Sequence, residues 1–577
     1  MLRTFALGQS GTARRLPFTL ADVAVILGAL AVLALIAKLG AGTLVSFTPP
    51  KNAPHVSLDP RNLPYYAGRS VLRMFVALVW SIVFTLAYGY FAAKSRRAER
   101  VLIPLLDILQ SVPVLGFLSI TVTAFIALFP GSLLGLEFAS VFAIFTAQAW
   151  NMTFSFYQSL RAIPKELEEA AELYGLSAWE RFVKLEVPSS IIGLVWNGMM
   201  SFGGSWFFLA ASEAISVLNQ SYTLPGVGSY VAAAIAAMDM RALGWAVLTI
   251  AVTIVIVDQL FWRPVVAWSD RFRMEQSASA QAPRSWVFDL LQSSTVTGAA
   301  ETAWAPIGEA FNRLFSALTR RRPAVEQRAK PASGDRLFDI AMIGTVVVLA
   351  ALAARFVLTT VGIREVLLVT GLGLATLCRV VVLVAFATVV WVPLGVAIGF
   401  NPRLARALQP IVQFLASFPA NFIFPFATLA FIKLGISIDI GSILLMALGS
   451  QWYILFNTIA GAQSIPTELR EMTADLEVKG WLAWRRLIVP GVFASWVTGA
   501  ITASGGAWNA SIVSEVVTWG STTLSANGIG RYIADATAKG DWARITLGVS
   551  VMSIFVVILN RLVWRRLYRY GEERFSR

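Results

Sequence analysis

One stretch of this chain occurs twice. Residues 164–188 read PKELEEAAELYGLSAWERFVKLEVP, and residues 466–490 read PTELREMTADLEVKGWLAWRRLIVP. Pro164 and Pro466 stand 302 residues apart, and so do Pro188 and Pro490, so the pairing runs without a gap. Glu166, Leu167, Glu169, Trp179, Leu185 and Val187 recur as Glu468, Leu469, Glu471, Trp481, Leu487 and Val489. Each copy is a charged island between apolar runs of about 20 residues, the length that crosses a bilayer as a helix. Each island therefore reads as a helical loop beside a membrane, and the chain as two similar units.

The repeat extends beyond the islands. Arg73, Pro104 and Pro113 pair with Arg379, Pro410 and Pro419, and Trp150 pairs with Trp452. GGSWFFLAASE at 203–213 matches GGAWNASIVSE at 505–515, and GVGSY at 226–230 matches GIGRY at 528–532. With 57% hydrophobic and 14% charged residues and a mean hydropathy of +0.68, the fold class is an all-α polytopic membrane protein. Twelve apolar stretches fall near 20–39, 68–93, 102–129, 137–160, 189–212 and 243–266, then 337–360, 372–400, 406–433, 440–462, 491–514 and 544–566. Six spans per half is an even number. The expected architecture is thus about twelve transmembrane helices as two parallel six-helix repeats, related by an axis along the membrane normal. The domains read as 1–267, a basic linker 268–336 and 337–577.

Charge sets the orientation. The net charge of +14 would suggest nucleic acid in a soluble chain. Here the basic residues gather in alternate loops: KSRRAER at 94–100, both islands, the linker, NPRLAR at 401–406 and the C-terminal WRRLYRYGEERFSR. That is the positive-inside pattern, so no nucleic-acid partner is expected and both termini are placed on the cytoplasmic side. Lys51 and Arg61 on the opposite side are a mild exception. Arg3, Arg14 and Arg15 resemble a signal-peptide start, but the apolar run from about 21 to 38 is long for a removable segment and reads as a retained span. Cys378 is the only cysteine and His55 the only histidine. Disulfides within the chain are excluded, and no metal site is expected. The linker contains RSWVFDLLQSS and IGEAFNRLFSALTRRR, both able to form amphipathic helices. It reads as a tether lying partly on the membrane surface, with a partner contact or a regulatory role as the alternative.

At the islands a family becomes recognisable. Glu169-Ala170-Ala171, then Gly175, then Leu185-x-Val187-Pro188 resembles the EAA loop of ABC importer permeases. The resemblance implies the type I importer permease fold, and a short coupling helix in each island that docks on a cytoplasmic ATPase. The expected coupling residues are Glu166, Glu169, Ala170, Ala171, Gly175, Glu468, Glu471 and Gly480. The second copy departs from the pattern, with Met472-Thr473 for the alanines and Glu477 for Gly175. Because a non-glycine residue resists positive φ, the second helix is expected to end differently, one turn later at Gly480, and to dock less closely.

The chain has no GxxxxGK[ST], so no P-loop of its own, and no catalytic constellation. Energy would come from two separate ABC ATPase subunits carrying ATP and Mg; no cofactor is expected in this chain. On one face of the first coupling helix Leu167, Ala170, Leu173 and Tyr174 recur at helical spacing. Glu166 and Glu169 near its start suit the helix dipole. A solute path near the bilayer midplane is expected from Gln148, Asn151, Trp206, Ser212 and Glu213 and from Gln451, Trp508, Asn509, Ser514 and Glu515. For the paired tryptophans, facing the path and ordinary packing both stand. For Glu213 and Glu515, a gate and a helix-end charge both stand. Arg73 and Arg379 either attract an anion or hold a structural partner.

Within the importers, the plan most resembles the nitrate, taurine, alkanesulfonate and bicarbonate group. That implies a small anionic solute, delivered by a periplasmic or extracellular binding protein to a multi-pass chain embedded in lipid. The alternative is a major-facilitator-like secondary transporter, which leaves the islands unexplained.

Overall fold

The computed structural model describes residues 19–43, 56–217, 220–272, 285–319 and 333–575. His55, Lys51, Arg3, Arg14 and Arg15 lie outside the described residues. Among the described residues, every one of the twelve expected stretches falls on helix. In lipid a backbone satisfies its polar groups only within itself, and helices do so residue by residue.

Among the described residues seven helices are long and apolar enough to cross a membrane by themselves, or up to nine if each bent pair counts as one span. The other stretches fall short for physical reasons. Leu134–Arg161 buries Ser140, Thr146, Gln148 and Thr153 against protein rather than lipid. The stretch expected at 102–129 is broken at Pro113, where Arg96–Ser111 gives way to Val114–Leu128 at an angle of 94°. Its counterpart breaks at Pro419, between Pro402–Ser417 and Phe424–Leu434. A proline donates no backbone N–H and disfavours helix in the residue before it. Matching caps open these elements: Ser95 Oγ accepts from Ala98 N–H, and Asn401 Oδ1 accepts from Arg403 and Leu404 N–H.

These broken elements bind the halves together. Val114–Leu128 packs into the core of the second half, among Trp508, Ile512, Ile529 and Ile533. Phe414, Phe418 and Phe422 pack reciprocally into the first half beside Phe202, Trp206 and Met199. Val114 N–H donates to Asn509 Oδ1 at 2.9 Å, and Asn421 Nδ2 donates to the Phe207 carbonyl at 3.3 Å. The repeats are thus interlocked. Gly203 sits where Val187–Glu213 crosses the other half, and a Cβ there would collide with Ser417 Oγ.

Two features interrupt the all-helical plan at matched places. Ala214–Val217 pairs antiparallel with Gln220–Thr223, and Val516–Trp519 with Thr522–Ser525. Each hairpin leads into a short helix, Val227–Ala236 or Ile529–Lys539. In the linker, Trp286–Ser293 and Thr295–Thr319 are helical.

Candidate functional site

The two islands fold alike. Each opens on a proline, Pro164 or Pro466, at ψ 138. The helices then run Lys165–Leu173 and Thr467–Asp475. After the first, Gly175 takes φ 64, Gly175 N–H donates to Glu172 O at 2.9 Å and Leu176 N–H to Ala171 O at 3.1 Å. That pair of bonds is a Schellman cap. In the second, Glu477 takes φ 50, with Glu477 N–H to Ala474 O and Val478 N–H to Thr473 O, both at 3.0 Å. The expectation that the second helix ends later, at Gly480, is therefore corrected. Glu477 accepts the left-handed conformation because two backbone bonds hold it there, while Gly480, at φ 60, starts the following turn.

The outward face is apolar and acidic. Leu173 and Tyr174 are 89% and 83% exposed, and Leu476 is 67% exposed. Glu166, Glu169, Glu468 and Glu471 are also exposed. Ala171 is buried and Ala170 half-buried; the small side chain at 171 lets the helix lie against its own protein rather than a partner. Both islands end alike too. Pro188 and Pro490 lack an N–H, and the ladder opens into a π turn just before each, at Phe182–Glu186 and Trp484–Ile488.

The islands differ in what flanks them. Ser177 and Glu180 form a capping box, and the Ser177 backbone N–H holds the Glu180 carboxyl below its usual range. Lys479, at the matched position, gives no side-chain cap. Trp179 donates from Nε1 to Asn312 Oδ1 at 3.0 Å and lies 4.9 Å from the Phe315 ring, so the linker covers it. Trp481 is 78% exposed.

At the far ends of the bundle each half buries a charge cluster. Arg73 bonds Glu137 at 2.6 Å and Glu213 at 2.7 Å, and donates to the Pro225 carbonyl at 3.0 Å. Arg69 adds a second ion pair to Glu137. Arg379 repeats this with Asp439 at 2.6 Å, Glu515 at 2.8 Å and the Asn527 carbonyl. Glu213 also accepts from Gly228 N–H and Glu515 from Arg531 N–H, fastening the short helix after each hairpin. A Cβ at Gly226 or Gly528 would collide with these carboxylates, which accounts for the paired glycines. Arg73 and Arg379 thus hold structural partners, and Glu213 and Glu515 cap helices. Glu137 and Asp439, not singled out from sequence, stand 302 residues apart; that shared offset was the available signal.

The expected path residues scatter. Trp206 and Trp508 are each 1% exposed, packed on Phe202 and Phe555. Gln148 lies beside Ser81, Ser212 bonds Ser140, Gln451 accepts from Trp391, Asn151 accepts from Gln110, and Ser514 is buried. Asn509 alone among them bonds across the seam between the halves. A small cavity of about 30 Å³ opens at that seam, lined by Met199, Met200, Gln413, Ala416, Ser417, Tyr453 and Phe456. No sequence pattern marked these residues.

Two alike, interlocked helical halves, each with an exposed loop helix, make up a two-part membrane protein, and the family of the chain says what class of membrane protein it is. Residues 85–261 and 391–577 each match the binding-protein-dependent transport system inner membrane component, and the chain belongs to that family, as an ABC permease with two fused domains. It is 28% identical over 189 residues to a nitrate import permease of Leptolyngbya laminosa, covering 33% of this chain and 64% of that one. It is 29% identical over 188 residues to a bicarbonate transport system permease of Synechocystis, again covering 33% and 64%. A putative aliphatic sulfonates permease of Bacillus subtilis is 27% identical over 184 residues, covering 30% and 63%. The match thus spans a little under two thirds of these relatives' length.

Proposed function

We propose that this chain supplies both membrane halves of an ATP-driven importer for a small anion of the nitrate, bicarbonate or sulfonate kind. Two separate ATPase subunits, holding ATP and Mg, dock on the islands at 164–188 and 466–490, with Glu166, Glu169, Glu468 and Glu471 on the docking face. The observation that carries this is the equivalence of the two island helices, cap for cap, with Leu173, Tyr174 and Leu476 left bare to solvent. An exposed apolar patch rimmed by charge is costly unless a partner covers it. The names of the relatives support the solute class, and the basic loops support an inner-membrane chain with both termini cytoplasmic. A solute-binding protein would deliver the anion to the opposite face, beside the hairpins.

The solute path follows the seam between the halves, through Met199, Gln413, Ser417 and Tyr453, rather than the buried tryptophans. In this geometry the seam has room for only a few waters, so passage requires the halves to part. The test is anion uptake into vesicles holding the chain with its ATPases. Replacing the phosphate-binding lysine of the ATPase should abolish uptake. Uptake that persists and follows a proton gradient would overturn the proposal in favour of a secondary transporter.

A further inference from the structure

The linker helix Thr295–Thr319 leaves Trp304, Ile307, Phe311, Leu314 and Leu318 between 48% and 70% exposed. At 100° per residue these five fall within one narrow stripe. Glu309 and Arg313 lie on the opposite side and are exposed, while Asn312, Phe315 and Thr319 form the edge that packs on Trp179. Glu301, the remaining charged residue of the helix, lies on that packed edge and is half-buried. The helix therefore has an apolar face that the protein does not cover and a charged face turned away from it.

Both ends of the helix are fixed near the level of the bilayer surface. Asp22 lies in the first turn of Leu20–Ala41, an apolar helix with only 6% of its span buried, so Asp22 marks a lipid boundary. The same carboxylate accepts from Ser294 Oγ and Thr295 N–H at 2.7 Å and from Val296 N–H at 3.2 Å. It thus caps the linker helix as well. The other end rests on Trp179, in a short helix that joins the span at Val187 through the π turn at Phe182–Glu186. A helix of 25 residues is about 37 Å long, so two ends at one level lay its axis in the plane of the membrane. Trp286 and Trp304, each 60% exposed, supply the amphipathic rings that favour the headgroup layer. Arg320, Arg321 and Arg322 follow in sequence, a basic run suited to anionic headgroups.

We infer that Thr295–Thr319 is an in-plane anchor whose Trp304–Leu318 stripe is seated in the cytoplasmic leaflet of an anionic bilayer, holding the first island through Trp179. That the leaflet is the cytoplasmic one rests on the orientation proposed above; the contact with lipid does not. The test uses the full chain with Cys378→Ala, reconstituted in nanodiscs of phosphatidylglycerol and phosphatidylethanolamine without ATPase. Single cysteines at Ile307, Leu314, Glu309 and Arg313 carry spin labels, and collision with oxygen is compared with collision with a water-soluble nickel chelate. Labels at 307 and 314 should favour oxygen and report a depth of about 5–10 Å, and labels at 309 and 313 should favour nickel. All four positions are exposed, so labelling should leave the fold intact, and discs present both faces, so the outcome is independent of sidedness. Nickel access at all four would overturn the inference. So would stripe labels that are wet in bare discs and lose both collisions only when the ATPase is added, which would make the stripe a protein-docking face.

Discussion

Replacing Glu213 by Gln should damage this protein more than replacing Glu515 by Gln, although the two occupy matched positions. The reason is the charge balance of each cluster. In the first half Arg69 and Arg73 face Glu137 and Glu213, and all four are at most 5% exposed. Two positive charges thus balance two negative ones. In the second half Arg379 faces Asp439 and Glu515, position 375 is alanine where the first half has Arg69, and the Asp439 side chain is 46% exposed. Glu213→Gln leaves an unmatched positive charge where no water reaches, a change that costs about 3–5 kcal/mol. Glu515→Gln leaves Arg379 paired with Asp439, so the loss is closer to that of charged hydrogen bonds, about 1–3 kcal/mol. The assay is the thermal midpoint of detergent-purified protein at matched expression, read at a fixed heating rate because unfolding of such a chain is a rate process. The double change Arg69→Met with Glu213→Gln restores neutrality and should recover part of the midpoint. Equal midpoints for the two single variants, or no recovery in the double, would refute the charge argument.

Glu477→Gly should raise the midpoint, since it removes a left-handed non-glycine residue worth about 1–2 kcal/mol, and should leave ATP hydrolysis with the partner unchanged. Glu169→Lys and Glu471→Lys should both lower solute-stimulated ATP hydrolysis; since the two turns are alike, a difference would reflect Ala170-Ala171 against Met472-Thr473 or the unlike flanks at Ser177 and Lys479, and an unaltered rate in both would place docking elsewhere. Gly203→Ala forces Ser417 aside at the seam and should cost about 1–3 kcal/mol with slower uptake, whereas Gly505→Ala, with open space beside it, should be tolerated. Trp179→Ala should speed hydrogen exchange in residues 311–319, while Trp481→Ala should leave exchange near its own island unchanged.

What the sequence disclosed was whatever repeats or has a period. The islands, their helices, the matched prolines and the glycine pairs are legible from the 302-residue offset, from the 306-residue offset that relates Arg73 to Arg379 and Pro113 to Pro419, and from apolar runs. The exchange of broken elements between halves was hidden, because contacts such as Val114 to Asn509 join residues that share no local pattern. Trp206 and Trp508 were ambiguous since a tryptophan in an apolar helix reads the same whether it faces a path or a core; Phe202 and Phe555 beside them decide for the core. At Glu477 the intrinsic preference of the residue pointed the wrong way, and the Schellman bonds outweighed it. Glu137 and Asp439 were legible in principle, as acids at matched positions at the edge of apolar runs, but only the arginines they neutralise give them meaning.

The interlock between halves has a consequence for how the protein is made. Translation delivers residues 187–213 well before residues 402–422, so the surface around Met199, Gly203 and Phe207 is finished while its cover does not yet exist. In a pair of single-domain subunits that cover would have to come from another molecule by diffusion. Here the linker keeps it on the same chain, at an effective concentration set by tether length rather than by expression level. The newborn first half is therefore the species most exposed to wrong partners and to quality control. Each half has to fit the other rather than a copy of itself, so matched positions need not hold matched side chains: Ala375 stands where the first half has Arg69, and Gly505 has open space where Gly203 meets Ser417.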